Sequence, residues 1–413
     1  MSKRTPFFLA VLLLLMASPM IGRAQETVDA LPTGIRPDAP TYGVRGQYPV
    51  GTRDLMIDGD VPLEITVWYP ALNPDSLEAA TEYPYYFKFG GDGGPVATVS
   101  GQAIQGADYD LSGGPYPLVI VSPGFALGRN SYAWLAEHLA SYGFTVIAPE
   151  HQEFADETLS TFWQSAITRP QEIQSVLAYV DAQVVTGGAL EGLVNTELIA
   201  VAGHSYGGYT ALVMGGARID VAGMQAVCAD ARQTGDPSAW LCDLVEPYVT
   251  DMAELAGFET LPDGLWPNWG DPRVDAIMPM AGDAYFFNEL GLAEITVPVM
   301  AIGGTGDTGT PYMWGTHPTY EYASSTTKAR VSFENAEHMI FGATCAALPF
   351  FAEIGFYEIC SDPVWDMDRA HDLTNHFATA FLLAELKQDA DAAAILAPEI
   401  VNFLGVAYDA QGY

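Results

Sequence analysis

The sequence GHSYGG, residues 203–208, lies between two segments of opposite character. Residues 197–202 before it form a short apolar run typical of a buried strand, and residues 209–216 after it read as a helix. The motif follows the pattern G-x-S-x-G, in which a serine occupies a tight turn from strand to helix and glycines leave room for a strained backbone. It therefore predicts an alternating α/β fold around Ser205.

Strands and helices alternate on both sides of this motif. Short apolar runs predict further strands at residues 117–121, 144–148, 271–280, 297–302 and 330–333. Amphipathic runs predict helices at residues 132–142, 169–184 and 373–386, the last of which is expected to close the domain. This alternation predicts an α/β fold with a mostly parallel central sheet and helices on both faces.

Three segments depart from the alternation. Residues 53–69 alternate apolar and polar side chains around an Asp-Gly turn, which predicts a β-hairpin. Residues 71–114 are rich in glycine and aromatics and are expected to form a loop or small insertion. Residues 220–268 carry several Pro and Gly and are expected to be an insertion above the motif, or else a surface excursion without a role in binding. We therefore expect one domain over residues 25–413.

The first 24 residues have the features of a targeting signal. Lys3 and Arg4 precede an apolar run at residues 7–17, and small residues follow at 22–24. The run is shorter than the roughly 20 residues that span a bilayer. Residues 1–24 are therefore predicted to be a signal peptide, which implies an extracellular or periplasmic protein without stable membrane insertion.

The four cysteines fit an oxidising compartment. Cys228 and Cys242 are close along the chain, as are Cys345 and Cys360. Four cysteines permit three connectivities, and the local pairing is favoured here. Their spacing matches no zinc-binding pattern, and free thiols are disfavoured outside the cytosol.

Acidic residues outnumber basic ones by far, 51 Asp and Glu against 16 Lys and Arg, for a net charge of −35. Such a charge repels nucleic acids and anionic membrane surfaces, so neither is expected as a partner. The sequence leaves the oligomeric state open.

A serine hydroxyl becomes a nucleophile only beside a general base, which an acid in turn orients. Around G-x-S-x-G motifs the acid and then the histidine follow the serine along the chain. His338, just after the strand predicted at 330–333, is the expected base. Asp307 follows the strand predicted at 297–302 and is the preferred acid; Asp283 follows the preceding strand and is the alternative. His371 and His376 are predicted to be surface or capping residues, and no metal or cofactor is expected.

The negative charge that develops during attack on a carbonyl needs two backbone N–H donors. Tyr206, directly after the serine, is expected to supply one. Phe125, in the loop after the strand at 117–121, is expected to supply the other, with Gly124 allowing that loop to approach closely. The aromatic side chains of Phe125 and Tyr206 are also candidate substrate contacts.

Several segments together carry a resemblance to known families: YPVGTRDL (48–55), VSPGF (121–125), VIAPEH (146–151), GHSYGG, and VPVMAIGGTGDTGTP (297–311) paired with AEHMIFG (336–342). In these, the chain resembles secreted esterases of the platelet-activating-factor acetylhydrolase and dienelactone-hydrolase-like group. It is also similar to bacterial polyester hydrolases, including the cutinase-like enzymes that attack polyethylene terephthalate. It departs from the latter in length, in the insertion, and in Tyr206 where Met is usual.

The resemblance implies an α/β-hydrolase fold with the nucleophile, base and oxyanion donors named above. In polyester hydrolases the acid lies in a segment that residues 297–311 resemble, which gives Asp307. In the acetylhydrolases it follows the preceding strand, in a segment that Asp283 and its neighbours resemble.

The function implied is carboxylic ester hydrolysis through an acyl-enzyme, on short-chain, lipid-like or polyester and aryl esters. The expected partner is a small-molecule or polymeric ester substrate. An amidase or peptidase on the same fold is the alternative, which relative rates on matched amides and esters would separate. A non-catalytic binding protein would require a missing member of the triad, and the sequence lacks none.

Overall fold

A computed structural model describes residues 39–88, 94–153 and 159–413, and in this part of the chain ten strands form one sheet. The described residues contain twelve strands in all: β1 (Val50–Ile57), β2 (Leu63–Pro70), β3 (Thr81–Tyr85), β4 (Ala97–Gly101), β5 (Ile104–Gln105), β6 (Tyr116–Ser122), β7 (Thr145–Pro149), β8 (Val194–His204), β9 (Val274–Met280), β10 (Val299–Gly304), β11 (Lys328–Phe333) and β12 (Val406–Gln411). β3 and β4 pair separately as a small antiparallel sheet. The predicted signal peptide lies outside the described residues.

The large sheet has the order β12-β11-β10-β9-β8-β6-β7-β2-β1-β5. The six strands from β11 to β7 are parallel to their neighbours, while β2 and β12 pair with them antiparallel. Because parallel strands end at the same edge, the loops after β6, β8, β9, β10 and β11 gather there. This carboxyl edge is where the candidate site lies.

Helices cover both faces of the sheet. They are α1 (Ala133–Ser141), α2 (Ser165–Gln183), α3 (Tyr206–Met214), α4 (Val221–Thr234), α5 (Trp240–Val245), α6 (Val249–Leu255), α7 (Asn288–Leu292), α8 (Thr316–Tyr322), α9 (Pro349–Glu353), α10 (Met367–Lys387) and α11 (Ala390–Ile395). Alternate side chains of β6 enter different cores: Leu118 and Ile120 pack with α2 and α3, whereas Val119 and Val121 pack with α1 and α10. The predicted α/β class, with a mostly parallel sheet between two helical layers, is confirmed.

One expectation about the end of the sheet was wrong. The helix predicted to close the domain, α10, is followed by β12, whose exposure alternates between half-buried and exposed. A strand with no fully buried face lacks the apolar run that marks a strand in sequence. The small insertion that the sequence allowed at residues 71–114 contains β3, β4 and β5.

The segment at residues 220–268 folds into α4, α5 and α6. The Cys228–Cys242 disulfide links α4 to α5, and both sulfur-bearing residues are buried. Helices α5 and α6 contact a 3₁₀ turn at Phe162–Gln164, where the rings of Trp163 and Tyr248 stack 5.5 Å apart. The segment therefore packs against the protein rather than projecting from it.

The second disulfide joins Cys345 to Cys360, so both bonds have the local pairing expected from the sequence. No helix in the described ranges combines the length and the apolar character needed to cross a membrane.

Candidate active site

Ser205 occupies the turn between β8 and α3. Its backbone has φ 57° and ψ −122°, a conformation that non-glycine residues rarely adopt, and its N–H donates to the carbonyl of Met280 at 2.9 Å. A Cβ at Gly203 would overlap the carbonyl of Gly207, and a Cβ at Gly207 would overlap the carbonyl of Ser122. The glycines of G-x-S-x-G are therefore required by space, and they let the serine project at the carboxyl edge.

His338 and Asp307 meet at the same edge. His338 begins a 3₁₀ turn after β11, and its Nδ1 lies 2.8 Å from Oδ2 of Asp307. Oδ1 of Asp307 accepts the backbone N–H groups of Gly309 and Thr310, both at 2.8 Å. The Asp307 side chain is 2% exposed and that of His338 is 19% exposed. The Asp307 carboxylate is thus fixed by three hydrogen bonds, while the imidazole of His338 stays open to solvent on one side.

Neighbouring carboxylates control the protonation of His338. Burial by itself lowers the pKa of an imidazole, but the charge and hydrogen bond of Asp307, with the charges of Asp283 and Glu337, together raise the pKa of His338 above its ordinary value. A base with a raised pKa holds a proton more strongly, which suits a group that must accept one from a hydroxyl.

Asp283, the alternative acid, is also buried at this edge. Its Oδ1 accepts the hydroxyl of Thr310 at 2.8 Å. Burial raises the pKa of Asp283 to about 6, although the Thr310 hydrogen bond and the charge of His338 act to lower it. Both carboxylates therefore influence His338, and Asp307 is the one that contacts its ring nitrogen.

His204, the variable residue before the serine, connects the parts of the site. Its Nδ1 lies 2.5 Å from the hydroxyl of Tyr132, and its Nε2 lies 2.9 Å from the carbonyl oxygen of His338. Burial lowers the pKa of His204 well below its ordinary value, so the ring is neutral. A neutral ring that donates from Nε2 to a carbonyl must accept at Nδ1 from the tyrosine. His204 precedes Ser205, so the order of triad residues along the chain does not point to it, and no local sequence pattern signals its role.

The loop after β6 lies beside Ser205. A Cβ built on Gly124 would lie 3.5 Å from the Cβ of Ser205, which shows how closely this loop approaches. Tyr206 is the first residue of α3, so its N–H belongs to the first turn, where backbone donors have no partner within the helix. The ring of Phe125 packs 4.9 Å from that of Phe162 and 6.0 Å from that of Tyr206.

The prediction of a surface or capping residue was wrong for His376 but is not contradicted for His371, which is half-buried. His376 is buried, and His371 stacks on Trp134 with ring centroids 3.9 Å apart while its Nε2 lies 2.9 Å from the carbonyl oxygen of Gly342. Both side chains pack between α10 and other elements, because that helix is covered over most of its length.

A buried pair that the sequence did not single out, Arg169 and Glu153, lies behind the β6 loop. The guanidinium Nη2 is 2.5 Å from Oε1 of the carboxylate. The sequence pattern predicts that an arginine in an amphipathic helix lies at the surface, so only the structure reveals this buried pair.

Comparison with known proteins adds to this geometry. A family model described as chlorophyllase matches residues 110–227, which include the β6 loop and Ser205. The chain is 24% identical over 231 residues to cutinase est1 of Thermobifida alba, covering 56% of each chain. It is 24% identical over 228 residues to a bis(hydroxyethyl) terephthalate hydrolase of Streptomyces coelicolor, covering 55% of this chain and 52% of that protein.

A third relative is chlorophyllase-1 of Citrus unshiu, 31% identical over 148 residues, which are 30% of this chain and 41% of that protein. Each of these matches spans less than two thirds of the relative's own length. The resemblance to cutinases and polyester hydrolases expected from the sequence is confirmed. The order of the sheet and the turn at Ser205 show an α/β-hydrolase fold, and the proteins to which the chain is similar are named as a cutinase, a bis(hydroxyethyl) terephthalate hydrolase and a chlorophyllase.

Proposed function

We propose that the protein is a serine hydrolase of carboxylic esters that works through an acyl-enzyme. The observation that carries the proposal is the His338–Asp307 contact of 2.8 Å at the sheet edge where Ser205 occupies its strained turn. The similarity to cutinases and to chlorophyllase, proteins named for ester substrates, supports the same reaction class.

In the proposed mechanism, the Ser205 hydroxyl attacks the ester carbonyl while His338 takes its proton, and the π electrons of the carbonyl move to its oxygen. The N–H groups of Phe125 and Tyr206 bind that oxyanion. Collapse expels the alcohol, which takes the proton from His338. Water, deprotonated by the same imidazole, then attacks the acyl-serine. The Ser205 oxygen leaves and takes that proton back from His338, and the acid is released.

Asp307 is proposed to hold the imidazole in one tautomer. Because its Oδ2 accepts from Nδ1, the lone pair of the neutral ring lies on Nε2, the nitrogen available to Ser205. The imidazolium formed during attack is stabilised by the adjacent carboxylate, in agreement with the raised pKa of His338.

The side chains around the site favour an apolar acyl or aryl group. The rings of Phe125 and Phe162 pack together and against that of Tyr206, the residue after Ser205, so the site is backed by a buried aromatic cluster. We infer that short-chain, lipid-like or aryl and polyester esters are the substrate class, with a small-molecule or polymeric ester as the partner. We also infer that the protein is secreted, since it has two disulfides and a predicted signal peptide.

A series of p-nitrophenyl esters, from acetate to palmitate, tests the proposal. Wild-type protein is expected to hydrolyse the series with a burst of p-nitrophenol close to the enzyme concentration if deacylation is slow. Ser205→Ala is expected to lose the activity by about 10⁶-fold, a loss reported for removing the nucleophile of a serine hydrolase. Ser112→Ala, at an exposed serine, is the matched control and is expected to retain wild-type rates. Equal rates for wild type and Ser205→Ala would refute the proposal.

A further inference from the structure

The guanidinium group of Arg169 is buried against the loop that carries Phe125. Its Nη1 donates to the carbonyl of Pro123, and its Nη2 donates to the carbonyl of Gly124 at 3.0 Å. Its Nε donates to Oε2 of Glu153 at 2.9 Å, and Nη2 also donates to Oε1. Arg169 is 0% exposed, so one charged group from α2 holds two successive loop carbonyls without contact with solvent.

Glu153 holds the other side of the same loop. Its Oε1 accepts the N–H of Ala126 at 2.7 Å, and its Oε2 accepts the hydroxyl of Ser165 at 2.8 Å. Burial by itself raises the pKa of a carboxyl, but the charge and hydrogen bonds of Arg169 outweigh it and hold the pKa of Glu153 below its ordinary value. Ala126 has φ 60°, so the loop turns sharply at the residue that Glu153 fixes.

These contacts bracket Phe125 on both sides. A peptide unit is planar and trans, so its C=O and N–H point in opposite directions. The carbonyl of Gly124 and the N–H of Phe125 belong to one unit, and Arg169 binds that carbonyl. The next unit joins Phe125 to Ala126, whose N–H Glu153 accepts. Arg169 therefore turns the N–H of Phe125 away from itself, toward the opposite side of the loop.

Fold stability alone is a weak explanation for this arrangement. Removing two charges from water is expensive, and apolar side chains of similar volume often replace a buried ion pair without loss of stability. The pair instead meets a geometric need, because the planar guanidinium of Arg169 makes four hydrogen bonds at once, to two carbonyls and to both carboxylate oxygens, whereas a lysine has only three donors. The positive charge of Arg169 beside the Gly124 carbonyl also polarises the N–H of Phe125, which belongs to the same peptide unit.

We propose that Arg169 and Glu153 are positioning residues that aim and polarise the Phe125 N–H as an oxyanion donor. The inference rests on the ester hydrolase function proposed above and names the groups that set its transition-state binding. Neither residue touches the substrate. Both act through the backbone of the loop.

The test compares Arg169→Lys and Glu153→Gln with wild type on p-nitrophenyl butyrate. Loss of one oxyanion donor lowers kcat by about 10²–10³-fold. Both variants are therefore expected to lose between about tenfold and 10³-fold in kcat, with KM changed by less than about threefold, because the oxyanion exists only after attack.

Arg129→Lys is the matched control. Arg129 is similarly buried, at 3% exposed, and its donors go to Thr66, Glu64 and Glu150 rather than to the loop at residues 123–126. It is expected to lower thermal stability about as much as Arg169→Lys while keeping kcat within about threefold of wild type. An equal fall in kcat for both lysine variants would overturn the inference.

Inhibition by an alkyl trifluoromethyl ketone provides a second measurement on folded protein. Ser205 adds to the ketone carbon, its proton passes to His338, and the carbonyl electron pair becomes an oxyanion in the site. The inhibition constant is expected to rise in proportion to the loss of kcat/KM for Arg169→Lys and Glu153→Gln. An unchanged constant would also overturn the inference, whereas an inactive wild type or an active Ser205→Ala would instead refute the proposed function.

Discussion

Asp307→Asn tests which of the two carboxylates that influence His338, Asp307 or Asp283, orients its imidazole. An asparagine can keep its oxygen toward the N–H groups of Gly309 and Thr310, where Oδ1 of Asp307 accepts at 2.8 Å. Its NH₂ group then replaces Oδ2, the atom 2.8 Å from Nδ1 of His338. Two donors cannot share that contact, so the imidazole is expected to move its proton to Nε2. A protonated Nε2 cannot accept the proton of Ser205.

The expected loss is large because it removes the active tautomer and the stabilisation of the imidazolium. The same substitution in a serine protease triad lowers kcat by about 10⁴-fold. At about 1.36 kcal/mol for each factor of ten, this corresponds to roughly 5 kcal/mol in the activation free energy. We expect a loss of about 10³–10⁴-fold for Asp307→Asn.

Asp283→Asn is the comparison, since its oxygen can still accept from Thr310 at 2.8 Å. It removes a charge that raises the pKa of His338 without removing the contact at Nδ1. A loss of no more than about tenfold in kcat is expected. Because the proposed mechanism needs neutral His338, the acid limb of the kcat/KM profile should move to lower pH in this variant.

The assay is kcat and kcat/KM on p-nitrophenyl butyrate between pH 5 and 9, with circular dichroism and thermal unfolding as checks on folding. The assignment of Asp307 as the acid fails if both variants lose activity equally. It also fails if Asp283→Asn is the more damaging change.

Three further changes test the surroundings of the site. Gly207→Ala should abolish activity and lower the unfolding temperature, because its Cβ would overlap the carbonyl of Ser122; a folded, active variant would contradict the crowding at that turn. Replacing Cys228 and Cys242 together by Ser should lower the free energy of unfolding by about 2–4 kcal/mol, measured by chemical denaturation, because the disulfide restricts the unfolded chain. Burial raises the pKa of Glu172 from 4.5 to about 7, so the folded state binds a proton that the unfolded state releases between these values. The contribution of Glu172 to the free energy of unfolding is therefore fully present below pH 4.5 and falls by about 3 kcal/mol as pH rises through 7. Denaturation at pH 5 and pH 8 would detect this loss, and Glu172→Gln should remove it.

The sequence predicts the parts of this protein that repeat a local pattern. β6, β8 and β10 were expected because each contains an apolar run whose side chains are buried on both faces of the sheet. Ser205 was expected because its glycines are needed for steric reasons that hold wherever the turn occurs. β12 escaped detection because none of its side chains is fully buried and its short sequence, VAYDAQ, lacks the apolar run that marked the other strands.

The choice between Asp307 and Asp283 could not be made from sequence in physical terms. Each follows a parallel strand at the same edge, so both are within reach of a histidine after β11. What distinguishes them in the structure is a contact of 2.8 Å between Asp307 and His338, a distance that no spacing encodes. Arg169 is a similar case, because its burial depends on the loop it meets from another strand.

The backbone of Ser205 implies a compromise between turnover and heat resistance. Its φ of 57° places a side chain where only glycine is relaxed, and such residues cost on the order of 1–3 kcal/mol each. A glycine at this position would relieve the strain and an alanine would keep it, so the inactive Ser205→Gly chain should survive higher temperatures than Ser205→Ala. Selection for a more durable fold and selection for the proposed nucleophile therefore act in opposite directions on Ser205.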